Sequence, residues 1–190
     1  VTDLKELCEN EEPIYVGLAV VMACIVMMLF MDSWIIPFLF LSSIGAAILI
    51  NMGTNYFLGE ISYLTKALSA VLQLAVTMDY SIFLWHSYCE QRKLQGDKYN
   101  AMATAIHETF TSVIGSSITT IAGFIALCFM TFTLGMDLGI VMAKGVILGV
   151  IGCVTTLPSL ILVLDKPIEK TRHRALLPSM NKAAKGLLVT

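Results

Sequence analysis

Charge is scarce in this chain. Asp, Glu, Lys and Arg together make up 14% of its 190 residues, against 57% hydrophobic residues, and the mean hydropathy is +0.80. A water-soluble domain of this length has no interior large enough to hold so much apolar sequence. The composition therefore predicts an integral membrane protein, an all-α polytopic helical bundle. Cysteine is equally uninformative as a framework. Cys8, Cys24, Cys89, Cys128 and Cys153 form no CxxC and no paired spacing, which excludes a disulfide scaffold and a metal site. Three of them fall in apolar stretches, where a thiol behaves as a small hydrophobe. His86 and Cys89 stand three apart, but a lone pair at a helix end is a coincidence rather than a zinc site. There is no glycine-rich nucleotide loop and no nucleophile beside a base, so ATP hydrolysis, enzymatic chemistry, a bound cofactor and a nucleic-acid partner are not expected.

The acidic residues that do occur are clustered. Val1 to Pro13 carries Asp3, Glu6, Glu9, Glu11 and Glu12 against a single Lys5, the reverse of the basic start of a signal peptide. With no initiator Met, the chain reads as a piece of a longer protein that starts inside an acidic segment, residues 1–13.

Five apolar spans follow: Ile14–Met31, Trp34–Met52, Leu64–Trp85, Thr109–Met130 and Leu138–Leu164. Each is near the roughly 20 residues a helix needs to cross hydrocarbon. Residues 14–165 are thus the transmembrane domain and 166–190 a cytoplasmic tail. Asp32 and Ser33 alone separate the first two spans, and Pro37 falls in the first turn of the second, where its missing N–H costs nothing. Arg92, Lys93 and Lys98 follow the third span, and Lys166, Lys170, Arg172, Arg174, Lys182 and Lys185 follow the fifth. The positive-inside rule then puts the N-terminus outside and the tail in the cytoplasm of a plasma-membrane, multi-pass protein. Tyr99, Met102, Ala103, Ile106 and Phe110 recur at helical spacing before the fourth span, which predicts a helix on the cytoplasmic surface. Pro158 is expected to kink the fifth helix.

Asp79 is the acid that stands far from either predicted membrane surface. A carboxylate near the bilayer centre costs at least about 2.5–3.5 kcal/mol, so it usually marks an ion or substrate pathway. Burial in a low dielectric disfavours its charged form, which suits it to loading and unloading a proton. Tyr80 can donate to a carboxylate, or accept from a protonated one, without changing its own charge. At roughly 100° per residue, Ser62, Lys66, Ser69, Gln73, Thr77 and Tyr80 form one stripe of the third span. Asp79 lies well round the cylinder, beside Leu68, Leu72, Ala75 and His86. A helix polar on two sides shows neither to lipid without cost, so this span is expected to be surrounded by other helices, with Asp79 in a nearly dry site.

Lys66 and Lys144 lie near the outer ends of their spans and are read as snorkelling to the interface. The alternative is that one of them pairs with Asp79 or with a group outside this chain. Gly115, Ser116, Ser117, Thr119, Thr120 and Gly123 in the fourth span, and the Gly145–Gly149 pair with Gly152 in the fifth, are read as helix-packing positions. Ser116, Thr119 and Thr120 are also candidates to support Asp79.

The stretch AVTMDYSIFLWHSYCEQR (Ala75–Arg92) resembles the Asp-Tyr span of the MMPL branch of the RND superfamily of exporters. GSSITTIAGFIAL (Gly115–Leu127) and MDLGIVMAKGVILGVIGCVTTLPSLILVLDKPIEKTRH (Met136–His173) are similar to the two spans that follow it there. The resemblance implies the closing edge of a porter domain followed by the second to sixth spans of one half. The tail RALLPSMNKAAKGLLVT resembles a linker, which favours the N-terminal half. It also implies proton-driven export of lipids, other amphiphiles or hydrophobic drugs, with protons as the coupling ion. Asp79 and Tyr80 would relay them, with a similar pair in a second half and membrane lipids as partners. Ala75 departs from the pattern, which often has Gly four residues before the Asp. Two other classes share related bundles: sterol-sensing-like sensors or scaffolds, and a membrane subunit of the protein-export machinery. Apolar residues at both relay positions would have favoured the former, and the basic DKPIEKTRH ending fits the latter less well.

Overall fold

A computed structural model describes the backbone of residues 2–31, 33–58 and 63–171. Asp32, Glu60, Ser62 and the tail 172–190 lie outside the described residues, as do the side chains of the acidic segment 1–12. The elements are helical throughout: α1 Thr2–Phe30, α2 Ile35–Thr54 with a 3-10 turn at Asn55–Leu58, α3 Tyr63–Gln95, α4 Lys98–Leu127, α5 Thr133–Val154, α6 Thr156–Val163 and α7 Asp165–Lys170.

Four stretches are long and apolar enough to cross a membrane: α2, Leu68–Gln95 of α3, α4, and the α5–α6 run Leu134–Val163. The apolar part of α1, Pro13–Met28, is shorter, with roughly 24 Å of rise against about 30 Å of hydrocarbon. The acidic start and the first expected span are thus one continuous helix rather than an edge followed by a span.

Pro37 and Pro158 mark helix boundaries, whereas Pro13 lies inside the continuous α1. Pro37 is the third residue of α2, among the N–H groups that no helix satisfies internally. The fifth span breaks at Thr155, with φ −111 and ψ −62, before α6 begins. The break is placed by Pro158, whose ring conflicts with the carbonyl four residues back, at Val154. Between α3 and α4, Gly96 takes φ +71, which a side chain would resist, and the Asp97 carboxylate accepts from the Asn100 N–H at 3.1 Å to cap α4. The surface helix expected before the fourth span is not a separate element. It is the start of α4 itself, and its buried edge is Ala101, Met102 and Ala105, while Tyr99 and Phe110 are exposed.

The bundle is closed at each end by polar contacts. At one end Asp165 of α7 accepts from the Tyr88 hydroxyl at 3.2 Å and lies 3.8 Å from Arg92 and 4.0 Å from Lys98. Ser33, in the α1–α2 turn, shares a 2.8 Å hydroxyl contact with Thr171 just past α7. The α1–α2 turn, the α3–α4 turn and α7 therefore share one end. The apolar core between the ends includes Met27, Phe40, Ile44, Leu84, Met142, Leu157 and Ile161, all almost fully buried. In the middle stands α3, in contact with α1, α2, α4 and α5.

Candidate functional site: the two polar faces of α3

The α3 sequence carries two polar faces, and the bundle treats them oppositely. Ser69, Gln73, Thr77 and Tyr80 of the expected stripe are buried, together with Thr65 and Ser81. Lys66 at the stripe's start is exposed. The opposite face, Leu68, Leu72, Ala75, Asp79, Phe83 and His86, is exposed along its length.

The buried face is held by side-chain amides. Asn51 of α2 donates to the Gln73 side-chain oxygen at 2.8 Å and to the Val141 carbonyl of α5 at 3.3 Å. Gln73 in turn donates to the Gly145 carbonyl at 3.1 Å. The expected packing role of the Gly145–Gly149 pair is realised on this face. A Cβ on Gly145 would come within 2.9 Å of the Gln73 side-chain oxygen, and one on Gly149 within 2.5 Å of the Thr77 hydroxyl. Lys144 has partners on another helix. Its ammonium reaches the Asn55 side-chain oxygen at 2.5 Å and the Asn51 carbonyl at 3.2 Å, at the C-terminus of α2. Asn51 and Asn55 were not among the residues singled out from the sequence, although their spacing of four at the end of an apolar span is a legible signal of a shared polar face.

Asp79 departs from the dry interior expected for it. It lines an open groove of about 300 Å³ between α3 and α4, with Val76, Tyr80, Phe83, Ser112, Val113, Ser116 and Thr120. The reason is helical geometry: Asp79 is roughly 200° round α3 from Thr77 and 240° from Gln73, and those two are seated in the interior. The Tyr80 phenol is buried, and its hydroxyl has no hydrogen-bond partner among the described residues. Of the candidate supporting residues, Ser116 and Thr120 share the groove with Asp79 and Tyr80. Thr119 is exposed and donates to the Gly115 carbonyl of its own helix at 3.1 Å.

The α4 side of the groove is unfilled. Gly115 and Gly123 meet no atom within 4 Å of where a side chain would begin, and Ser112, Ser116, Ala122 and Ala126 are exposed on the same helix. Small residues of this kind are what close helix approach in a membrane requires. No group of metal-binding side chains occurs among the described residues.

Relatives of this chain are membrane proteins. It is 35% identical over 97 residues to MJ1562, named as a membrane protein of Methanocaldococcus jannaschii, which covers 51% of this chain and 25% of that protein. It is 26% identical over 138 residues to the Streptomyces coelicolor membrane protein ActII-3, covering 70% of this chain and 19% of the relative. It is 30% identical over 115 residues to the siderophore exporter MmpL5 of Mycobacterium tuberculosis, covering 60% of this chain and 12% of that protein. The chain thus spans a quarter or less of the length of these relatives. A family model matches residues 1–180, nearly the whole of it, and with the Asp-Tyr span and its bundle this makes the chain a member of the MMPL family.

Proposed function

We propose that this chain is the five-helix transmembrane unit of one half of a proton-driven exporter of lipids, other amphiphiles or hydrophobic drugs. In this reading Asp79 is the proton carrier and Tyr80 its relay partner. The observation that carries the reading is an acid standing exposed on a face of α3 whose other polar member is His86, beside a buried phenol whose hydroxyl has no hydrogen-bond partner among the described residues. Left against lipid, that acid would cost at least about 2.5–3.5 kcal/mol. A second surface that covers the groove removes the cost and can supply a partner for the exposed Asp79 carboxylate. The groove's lining residues include no other charged group, so the charge that balances Asp79 comes from that second surface or from a proton.

The chemistry asked of the residues is modest. In this reading Asp79 is the group that takes up and gives back the proton. Tyr80, whose hydroxyl has no hydrogen-bond partner among the described residues, would donate to a charged carboxylate or accept from a neutral one. Ser116 and Thr120 offer hydroxyls along the groove wall. Each change in the charge of Asp79 alters what the groove tolerates as a neighbour, which is how proton binding would bias the two halves between arrangements. The basic residues of the α3–α4 turn favour a cytoplasmic placement for that end and an extracytoplasmic one for the start of α1.

Asp79→Asn in the intact protein is the test. Asparagine keeps the shape and hydrogen bonding but carries no exchangeable charge, so export driven by a proton gradient is abolished while insertion and abundance are retained. Export at the wild-type rate by that variant, under a matched gradient, would refute the relay.

A further inference from the structure

We infer that Gln73 is a positioning residue for Asp79, and that its seat between α2 and α5 sets the rotation at which α3 presents the acid to the groove. This rests on Asp79 being the proton carrier, but the geometry stands independently of it.

Gln73 is 1% exposed and uses both ends of its amide on different helices. The oxygen accepts from Asn51 of α2 at 2.8 Å, and the nitrogen donates to the Gly145 carbonyl of α5 at 3.1 Å. An amide held at both ends permits one orientation, because turning it over places donor against donor and acceptor against acceptor. One turn along, Thr77 occupies the space left by Gly149, where a Cβ would be 2.5 Å from its hydroxyl oxygen. Two side chains one turn apart on α3 thus sit in two glycine notches one turn apart on α5. That arrangement fixes rotation and axial register together.

Lys144 completes the seat from the α5 side. It adjoins Gly145 and bonds the Asn51 carbonyl and the Asn55 side chain, so α2, which supplies Asn51, is tied to α5 as well as to Gln73. The opposite face of α3 carries no such restraint. Leu68, Leu72, Ala75, Phe83 and His86 are exposed beside Asp79. Rotating α3 by one residue, roughly 100°, would break both Gln73 bonds and replace Val76 by Ala75 at the α4 side. The buried amide has no water to fall back on in a bilayer. The rotation of Asp79 is therefore set from the far side of its own helix.

The experiment is thiol cross-linking in the intact protein, in a background without its native cysteines. Val76→Cys with Ser116→Cys pairs two residues of the groove, and Ala75→Cys with Ser116→Cys reports the rotated helix. With Gln73 present, a short thiol-reactive cross-linker joins the first pair and not the second. With Gln73→Leu, the first cross-link is lost, the second is gained, and the pH profile of export is displaced at unchanged abundance. Wild-type cross-links and an unmoved pH profile in Gln73→Leu would overturn the proposal. Where Gln73→Leu alone fails to accumulate, Asn51→Leu with Gln73→Leu replaces both partners by apolar groups and restores packing, and the same two readouts decide. Full export by Asp79→Asn would sink the relay, whereas the cross-links judge the positioning on their own.

Discussion

Lys144 donates to the Asn55 side-chain oxygen at 2.5 Å and to the Asn51 carbonyl at 3.2 Å. A positive charge thus sits on the C-terminal turn of α2, at the negative end of that helix's dipole. Lys144→Met keeps an apolar stem of similar length and removes the ammonium. Hydrogen bonds to charged groups contribute about 1.5–3 kcal/mol each in favourable settings. We expect a loss of about 1–3 kcal/mol, read as a lower thermal midpoint in detergent and faster proteolysis near Asn55. An unchanged midpoint would mean the ammonium reaches the interface instead, as its position in the sequence alone suggests.

At the opposite end Asp165 gathers three groups, and they are not equal. The contacts to Arg92 and Lys98, at 3.8 and 4.0 Å, are loose and partly exposed, so each contributes about 0–1 kcal/mol and fades with salt. The Tyr88 hydroxyl, on a ring that is 3% exposed, donates to the same carboxylate at 3.2 Å. Asp165→Asn keeps an acceptor for Tyr88 and should cost less than about 1 kcal/mol. Asp165→Ala strands that hydroxyl and should cost about 1–3 kcal/mol. Equal losses in the two variants, measured by denaturation at two salt concentrations, would show that charge rather than the phenol's bond matters there.

What could be read from the chain before its fold was known follows a clear physical division. Helix boundaries at Pro37 and Pro158 depend on one residue's missing N–H and ring, so they were legible. So were the two polar faces of α3, because 3.6-residue periodicity fixes which side chains share a side. Which face would be buried was not legible. Periodicity gives angles between residues on one helix, not the neighbours that fill each angle. The decision lies with Asn51 and the glycines of α5, far away in sequence, which accept Gln73 and Thr77 and leave Asp79 outward. Lys144 illustrates the same limit: a lysine near a span's end reads as snorkelling until an asparagine on another helix is found beside it. The start of α4 shows a third case, since a surface helix and a transmembrane helix in phase with it carry the same pattern up to their junction.

The glycine notches offer the sharpest stability test. A Cβ on Gly149 would lie 2.5 Å from the Thr77 hydroxyl oxygen and 3.0 Å from its methyl carbon, too close for either to stay where it is. Overpacking of this kind typically costs about 1–3 kcal/mol, so Gly149→Ala should lower stability by that amount and Gly149→Val by more. Thr77→Ala removes both crowded atoms. It also deletes a buried hydroxyl that has no partner among the described residues, so alone it should cost little. Combined with Gly149→Ala it should return most of the loss, giving a coupling of about 1 kcal/mol or more between two residues 72 apart in sequence. Purely additive effects in that cycle, measured by denaturant titration of the intact protein, would mean that α5 does not meet α3 at this notch.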